Sequence, residues 1–307
     1  MEKKKTGLTV QKLEENVANH FIEMLEKDGL KGVSRWRVPA PPRNGLTGHV
    51  YRGGNVLATA ISMMVNGFED TRFVTFKQAK TLGGKVRKGQ RGTAIKAYDR
   101  FLPKGAEDAP QNYRNFAKIL YVWNVEQCDD IDHDKLVDNS PPVFTVLQRN
   151  EAAEAFISAS GAKIDETGTS AFYTPLLDKI VMPPRESFVS TPDVTSMELF
   201  YSTLLHELVH WTGHNKRLDR LTATGRQSKS YAFEELVAEI GSVMLGIHTG
   251  VQTMPREDNA QYVQSWIRKL KKDPSTIFSA ATDASKAMTF LVDLQPANER
   301  EFADEHS

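Results

Sequence analysis

Apolar side chains recur at helical spacing through residues 9–28, where Val17, Phe21, Met24 and Leu25 share one stripe and Gly29 follows as a stop. Between 33 and 54 the rhythm dissolves into Pro, Gly and Arg, which predicts ordered loop. Asn55 then stands where a capping residue belongs, ahead of a second stripe of Val56, Leu57, Ala60, Ile61 and Met64 that ends at Asn66-Gly67. Thr75 and Gln78 have capping-box spacing for a short helix closing at Gly83-Gly84. Residues 93–98 and 118–125 read as strands, the second a central one. Phe73, Phe76, Tyr98, Tyr121 and Trp123 are expected to build the core rather than touch a ligand.

The second half has a different rhythm. Residues 126–142, acidic and then bounded by Pro, make the best linker and divide the chain into 1–135 and 142–307. Residues 143–159 read as strand or turn into helix, and 171–173 and 179–182 as two short strands about a Pro-containing turn. Helices are predicted over 195–215, over 231–245 with Ser230 as cap and Gly246 as stop, and over 257–272 and 273–293. The fold class expected is α+β in two domains, the front one mixed and the rear one mostly helical.

One helix carries chemistry. In His206-Glu207-Leu208-Val209-His210 the two imidazoles stand four residues apart, roughly 40° from each other around a helix axis, with a carboxylate beside them. That is a two-His metal anchor with Glu207 placed to take a proton from water. A third His six residues past the second is absent, since position 216 is Lys, and His214 projects one turn too far along the helix. A later helix supplies the alternatives Glu234 and Glu235, with Glu239 one turn beyond Glu235 to receive the free N–H of His206. Small residues Ala238 and Gly241 would let that helix approach closely. Tyr231, Tyr173 and His248 are candidates to stabilise an oxyanion, and spacing does not choose among them. The expected cofactor is a divalent ion, zinc first, although two His and one Glu also accept manganese, cobalt or nickel.

Charge adds a partner. The net charge is zero, yet residues 1–125 hold 22 Lys and Arg against 11 Asp and Glu. Within 31–100 the count is 14 basic to 3 acidic. Such asymmetry points to nucleic acid on the front half. Trp36 between Arg35 and Arg37 suits stacking of an unpaired base between cations. Tyr51-Arg52-Gly53-Gly54-Asn55 offers a seat for phosphate at a helix start, and Lys85, Arg87, Lys88 and Arg91 crowd one turn. No apolar run approaches the roughly 20 residues that span a bilayer, and the polar opening has no signal-peptide core behind it, so the expected location is the cytoplasm. Cys128 is the single cysteine, which excludes an internal disulfide and a thiolate metal site.

Trp36-Arg37, Pro42, Asn44, Thr47-Gly48 and Tyr51 through Leu57, with Thr75 through Ala79 and Gly83 through Gly89, resemble the N-terminal domain of ArdC-type antirestriction proteins, a module that also precedes some plasmid primases. His206 through His214, Arg217-Leu218, Tyr231 and Glu234 through Glu239 are similar to the metallopeptidase-like domain of that family, as are Tyr262, Trp266, Leu270-Lys271 and Ala280-Ala281. Gly54 before Asn55 departs from the bulkier residue common there. The resemblance implies a single-strand DNA-binding domain fused to a zincin-like domain of gluzincin type, with Glu235 favoured over Glu234 as third ligand. It also implies protection of incoming plasmid DNA from host restriction. Single-stranded DNA, and double-stranded DNA with it, are the partners implied, and host restriction enzymes are a further one; a membrane is not. The alternative activity is an active zinc metallopeptidase cleaving a DNA-associated protein such as a restriction enzyme.

Overall fold

The computed structural model describes residues 8–29, 40–101, 114–138, 145–192, 194–221, 229–254 and 260–296. Thr9 opens α1 (Val10–Asp28) by accepting from the Lys12 amide, and Gly29, at φ 57°, ends it. A four-stranded sheet follows. In it β1 (Arg43–Asn44) runs parallel to β2 (Arg72–Val74), which pairs antiparallel with β5 (Arg114–Asn124). The outer partner of β5 is β4 (Thr93–Phe101), so β5 is interior, as the apolar run predicts. Between β1 and β2 lies α2 (Gly54–Asn66), which buries Ala60 and Met63 against Ile95 and Val122. The Thr75/Gln78 box starts α3 (Phe76–Thr81), and β3 (Lys85–Val86) pairs with β6 (Cys128–Asp129).

Four local readings need correction. Asn55 does not cap α2. Gly53 holds that position at φ 58°, and the Asn55 amide instead bonds both the N–H and the C=O of Lys96, at 2.8 Å each. Residues 126–136 are not slack linker: Ile131 and Leu136 are buried with Val74, Ala79 and Leu82 under the sheet edge. Phe73 is fully buried, but Phe76, Tyr98 and Tyr121 are 50%, 74% and 41% exposed. On β5 alternation sends Val122 inward and its neighbours Tyr121 and Trp123 to the opposite face.

The fourth correction lies in the rear half. There α4 (Val146–Ala159) starts from a Thr145/Gln148 capping box. A three-stranded sheet follows in the order β7 (Lys163–Asp165), β9 (Lys179–Val181), β8 (Phe172–Thr174). β7 has three residues, too few to show an alternation in sequence. The helices are α5 (Ser196–Thr212), α6 (Lys229–Thr249), α7 (Ala260–Lys272) and α8 (Ser275–Asp293). Ser230 lies inside α6, and the helix runs through Gly246 to Thr249. Gly246 serves close approach rather than termination, since a Cβ there would sit 2.4 Å from the Thr253 side chain.

Front and rear share one core. Leu13, Val17 and Phe21 of α1 and Leu57 of α2 pack with Leu205, Leu236, Ile267 and Ala280 of the rear helices. At Gly54 a Cβ would fall 1.8 Å from the Phe278 ring, so only glycine lets α2 begin against α8. The segments 1–135 and 142–307 thus meet across buried apolar surface. Among the described residues no helix is long and apolar enough to cross a membrane.

Candidate metal centre

The centre rests on two packed helices. Thr195 and Glu198 form a capping box that starts α5, and Leu204, Leu205, Leu208 and Val209 bury its flanks. Losing one such leucine side chain costs about 2–5 kcal/mol, which fixes the helix firmly. Opposite it, α6 comes close because Gly241 has no side chain: a Cβ there would lie 2.8 Å from Val209. His206, Glu207, His210, Glu234, Glu235 and Glu239 are all buried between and around these helices.

The structure brings His206, His210 and Glu235 together, one ligand atom of each lying within 4.8 Å of the others. Among the described residues this is the one such group of His, Cys, Asp or Glu. Glu235 reaches His206 Nε2 at 3.3 Å and His210 Nε2 at 3.6 Å, so the two imidazole nitrogens and the carboxylate face a common point. Glu234 takes another position. It meets His210 Nδ1 at 3.1 Å and holds Arg220 at 2.8 and 2.9 Å, and Arg220 also donates to the Val209 carbonyl at 2.7 Å. Spacing does not announce this clamp, because residues fourteen apart carry no periodic signal. Glu239 lies 3.7 Å from His206 Nδ1, in ionic reach but beyond a hydrogen bond.

The electrostatics favour positive charge. Burial by itself lowers the His210 pKa, yet Glu235 and Glu234 carry it up to about 10. Burial by itself raises Glu235, and His210 and His206 hold it well below the usual carboxylate range. Glu234 is likewise lowered, against the pull of burial, by His210 and Arg220. Burying carboxylates costs several kcal/mol each, and Arg220 and the imidazoles of His206 and His210 offset that cost for Glu234 and Glu235. Of the oxyanion candidates, Tyr173 donates to Asp178 at 2.8 Å and accepts from Arg217 at 3.1 Å. His248 packs edge-on to Phe156, far along α6 from Glu235. Tyr231 stands one turn before Glu235 on the same helix.

The front candidates are scattered. Arg35, Trp36 and Arg37 lie outside the described residues. Tyr51 is buried against Phe73, ring centroids 6.2 Å apart, and burial pushes its phenol pKa up, so it is a core residue rather than a stacking surface. Asn55 has its side chain committed to β4, which corrects the reading of it as a DNA contact. Lys85 pairs with Asp130 at 3.0 Å, and Arg87 bonds the Glu126 and Cys128 carbonyls beside Asp129. Arg52, Lys88 and Arg91 are exposed.

Comparison with known proteins follows these two regions. A model of the N-terminal domain of anti-restriction factor ArdC matches residues 11–125, and one of a zincin-like metallopeptidase matches 151–283. Two Escherichia coli proteins named DNA primase TraC are 36% and 34% identical over 91% of this chain, which spans 27% and 20% of their lengths. The Sinorhizobium fredii protein y4eC is 30% identical over 94% of both chains. The crystal structure of the antirestriction ArdC protein from the R388 plasmid, solved metal-free and Mn(II)-bound, superposes with a TM-score of 0.74 at 33% identity, over 92% of this chain and 97% of that one. With a likeness of that extent, and both domain models in the matching order, the chain belongs to the ArdC family of antirestriction proteins.

Proposed function

We propose that this protein guards plasmid DNA against restriction as it enters a cell, binding the unpaired strand with its front module and a divalent ion with its rear one. One observation carries the reading: three buried donors, His206, His210 and Glu235, converge behind a module that concentrates the chain's cations. Both ring nitrogens of His206 are buried without a hydrogen-bond partner, which suits a ligand rather than a packing residue. The donor set of two imidazoles and one carboxylate fits zinc, and manganese, cobalt or nickel as well. The Mn(II)-bound form of the R388 protein supports a divalent ion here.

When bound, such an ion supplies Lewis acidity, polarising a carbonyl and making water nucleophilic near neutral pH. Glu207, buried next to His206, would take a proton from such a water in the peptidase reading. Glu234 accepts from His210 Nδ1 and, held by Arg220, keeps that ring turned toward Glu235. Glu239, 3.7 Å from His206 Nδ1, gives that ring an ionic contact on its far side. In this reading Tyr231, one turn before Glu235 on α6, is the candidate donor to a developing oxyanion.

The front module is the principal activity in this reading, working by phosphate neutralisation that weakens steeply with salt. Duplex DNA is a secondary ligand. A metallopeptidase acting on a restriction enzyme is the second reading, favoured by Glu207, since a purely structural ion needs no general base. Incubating the protein with a restriction enzyme and DNA, with and without chelator, separates the two. The expected result is inhibition with the restriction enzyme intact, unchanged in Glu207→Gln. Chelator-sensitive fragments that vanish in Glu207→Gln would transfer the activity to proteolysis.

A further inference from the structure

The core reading of Phe76 and Tyr121 fails in an informative way, while Trp123 is half-buried. Phe76 opens α3 and is 50% exposed; Tyr121 on β5 is 41% exposed. Trp123 lies between them, its ring centroid 6.1 Å from Phe76 and 6.5 Å from Tyr121. The three rings form a continuous row, Phe76 beside the β2–β5 pairing of Val74 with Trp123. Gly92 packs directly against the indole and holds it in place, since a Cβ there would sit 2.8 Å from the ring. Water-exposed aromatics in a row are costly unless something covers them.

The rim identifies the cover. The Lys80 ammonium stands 5.4 Å above the Phe76 ring centre, and Lys77 is exposed on the same short helix. Gly92, against the indole, is the strand-side end of the cationic turn that carries the exposed Lys88 and Arg91. Flat π surfaces flanked by cations match bases flanked by phosphates. An apolar protein partner would be mismatched to this charge, and a duplex would hide its base faces.

We infer that an unpaired nucleic-acid strand lays its bases on the Phe76–Trp123–Tyr121 row while Lys80, Lys88 and Arg91 take its phosphates. This rests on the strand-binding reading above and names the surface that does it. Lys85 and Arg87, committed to the acidic edge at Asp129 and Asp130, contribute little.

The test titrates the full chain into a fluorescently labelled oligo-dT and reads anisotropy for the wild type, Phe76→Ala, Tyr121→Ala and Phe76→Trp. Each alanine variant is expected to weaken binding at least about fivefold while leaving the salt slope unchanged, because stacking is lost and phosphate contacts stay. Phe76→Trp should bind at least as well as wild type. Gly92→Ala should weaken binding too, by displacing the indole without deleting an aromatic. Both deleted rings are exposed, and unchanged circular dichroism verifies the fold. A wild type that binds no oligo-dT at low salt sinks the strand-binding reading and this inference with it. A wild type that binds, with alanine variants that match it, sinks this inference alone.

Discussion

The metal centre and the aromatic row are built on opposite principles. The centre is buried, carboxylate-rich and clamped; the row is partly exposed, uncharged in itself and accompanied by exposed lysine and arginine side chains. An ion with no shape of its own needs a rigid cage that has prepaid its desolvation. A strand of variable sequence needs a flat surface that any base can cover, with charge nearby but not fixed to one geometry. Substitutions should therefore act on the two regions independently, by different amounts and through different observables.

The sharpest way to break this comparison is to loosen the cage. Arg220 is nearly buried and doubly bonded to Glu234, so Arg220→Ala leaves a carboxylate without its cation in the interior. A loss of about 3 kcal/mol is expected, seen as a lower urea midpoint. Strand binding measured below that midpoint should be unaffected. If Arg220→Ala weakened oligo-dT binding as much as it weakened the fold, the two regions would be coupled and the contrast lost.

A smaller effect sharpens the electrostatic side. Asp178 is held from 3.8 down to about 2, first by its hydrogen bond to Arg217 and then, against burial, by the Tyr173 hydroxyl. A depressed carboxylate contributes stability above its unfolded pKa and loses it as pH falls through the folded value. The wild type should thus lose part of its stability between 3.8 and about 2, and Asp178→Asn should lose less over that interval. Asn also tolerates the left-handed backbone at this position, φ 47°, so the substitution isolates the charge. Asp178 is 31% exposed, which keeps the effect modest; thermal melts across the acid range measure it.

How much of this could be read from residues alone follows the same division. The helix of the two histidines and its start at Thr195 are local, so spacing reveals them, whereas the Ser230 start and Gly246 stop expected for the second helix lie inside it. That His206 and His210 share one face follows from i,i+4 geometry, whereas the preference for Glu235 over Glu234 came from the family resemblance. The Arg220 clamp is tertiary, and no local pattern announces it. In the front module, alternation identified β4 and β5 but not which face was covered, so Tyr121 and Tyr98 were assigned inward. Tyr51 erred the opposite way: flanking glycines and arginine suggested a surface loop, while Phe73 draws it into the core. Asn55 looked like a cap because Asn caps often, and the backbone of Lys96, forty-one residues on, claimed it instead.

The most direct measurement is calorimetric titration of Mn2+ or Zn2+ into chelator-treated full-length protein, run beside oligo-dT anisotropy on the same samples. One ion per chain is predicted for the wild type. In His210→Ala and Glu235→Gln ion affinity should fall by at least about tenfold, with oligo-dT affinity unchanged. Ion binding that survives Glu235→Gln undiminished would contradict the account at its centre, because the carboxylate bridging His206 and His210 would then be a bystander.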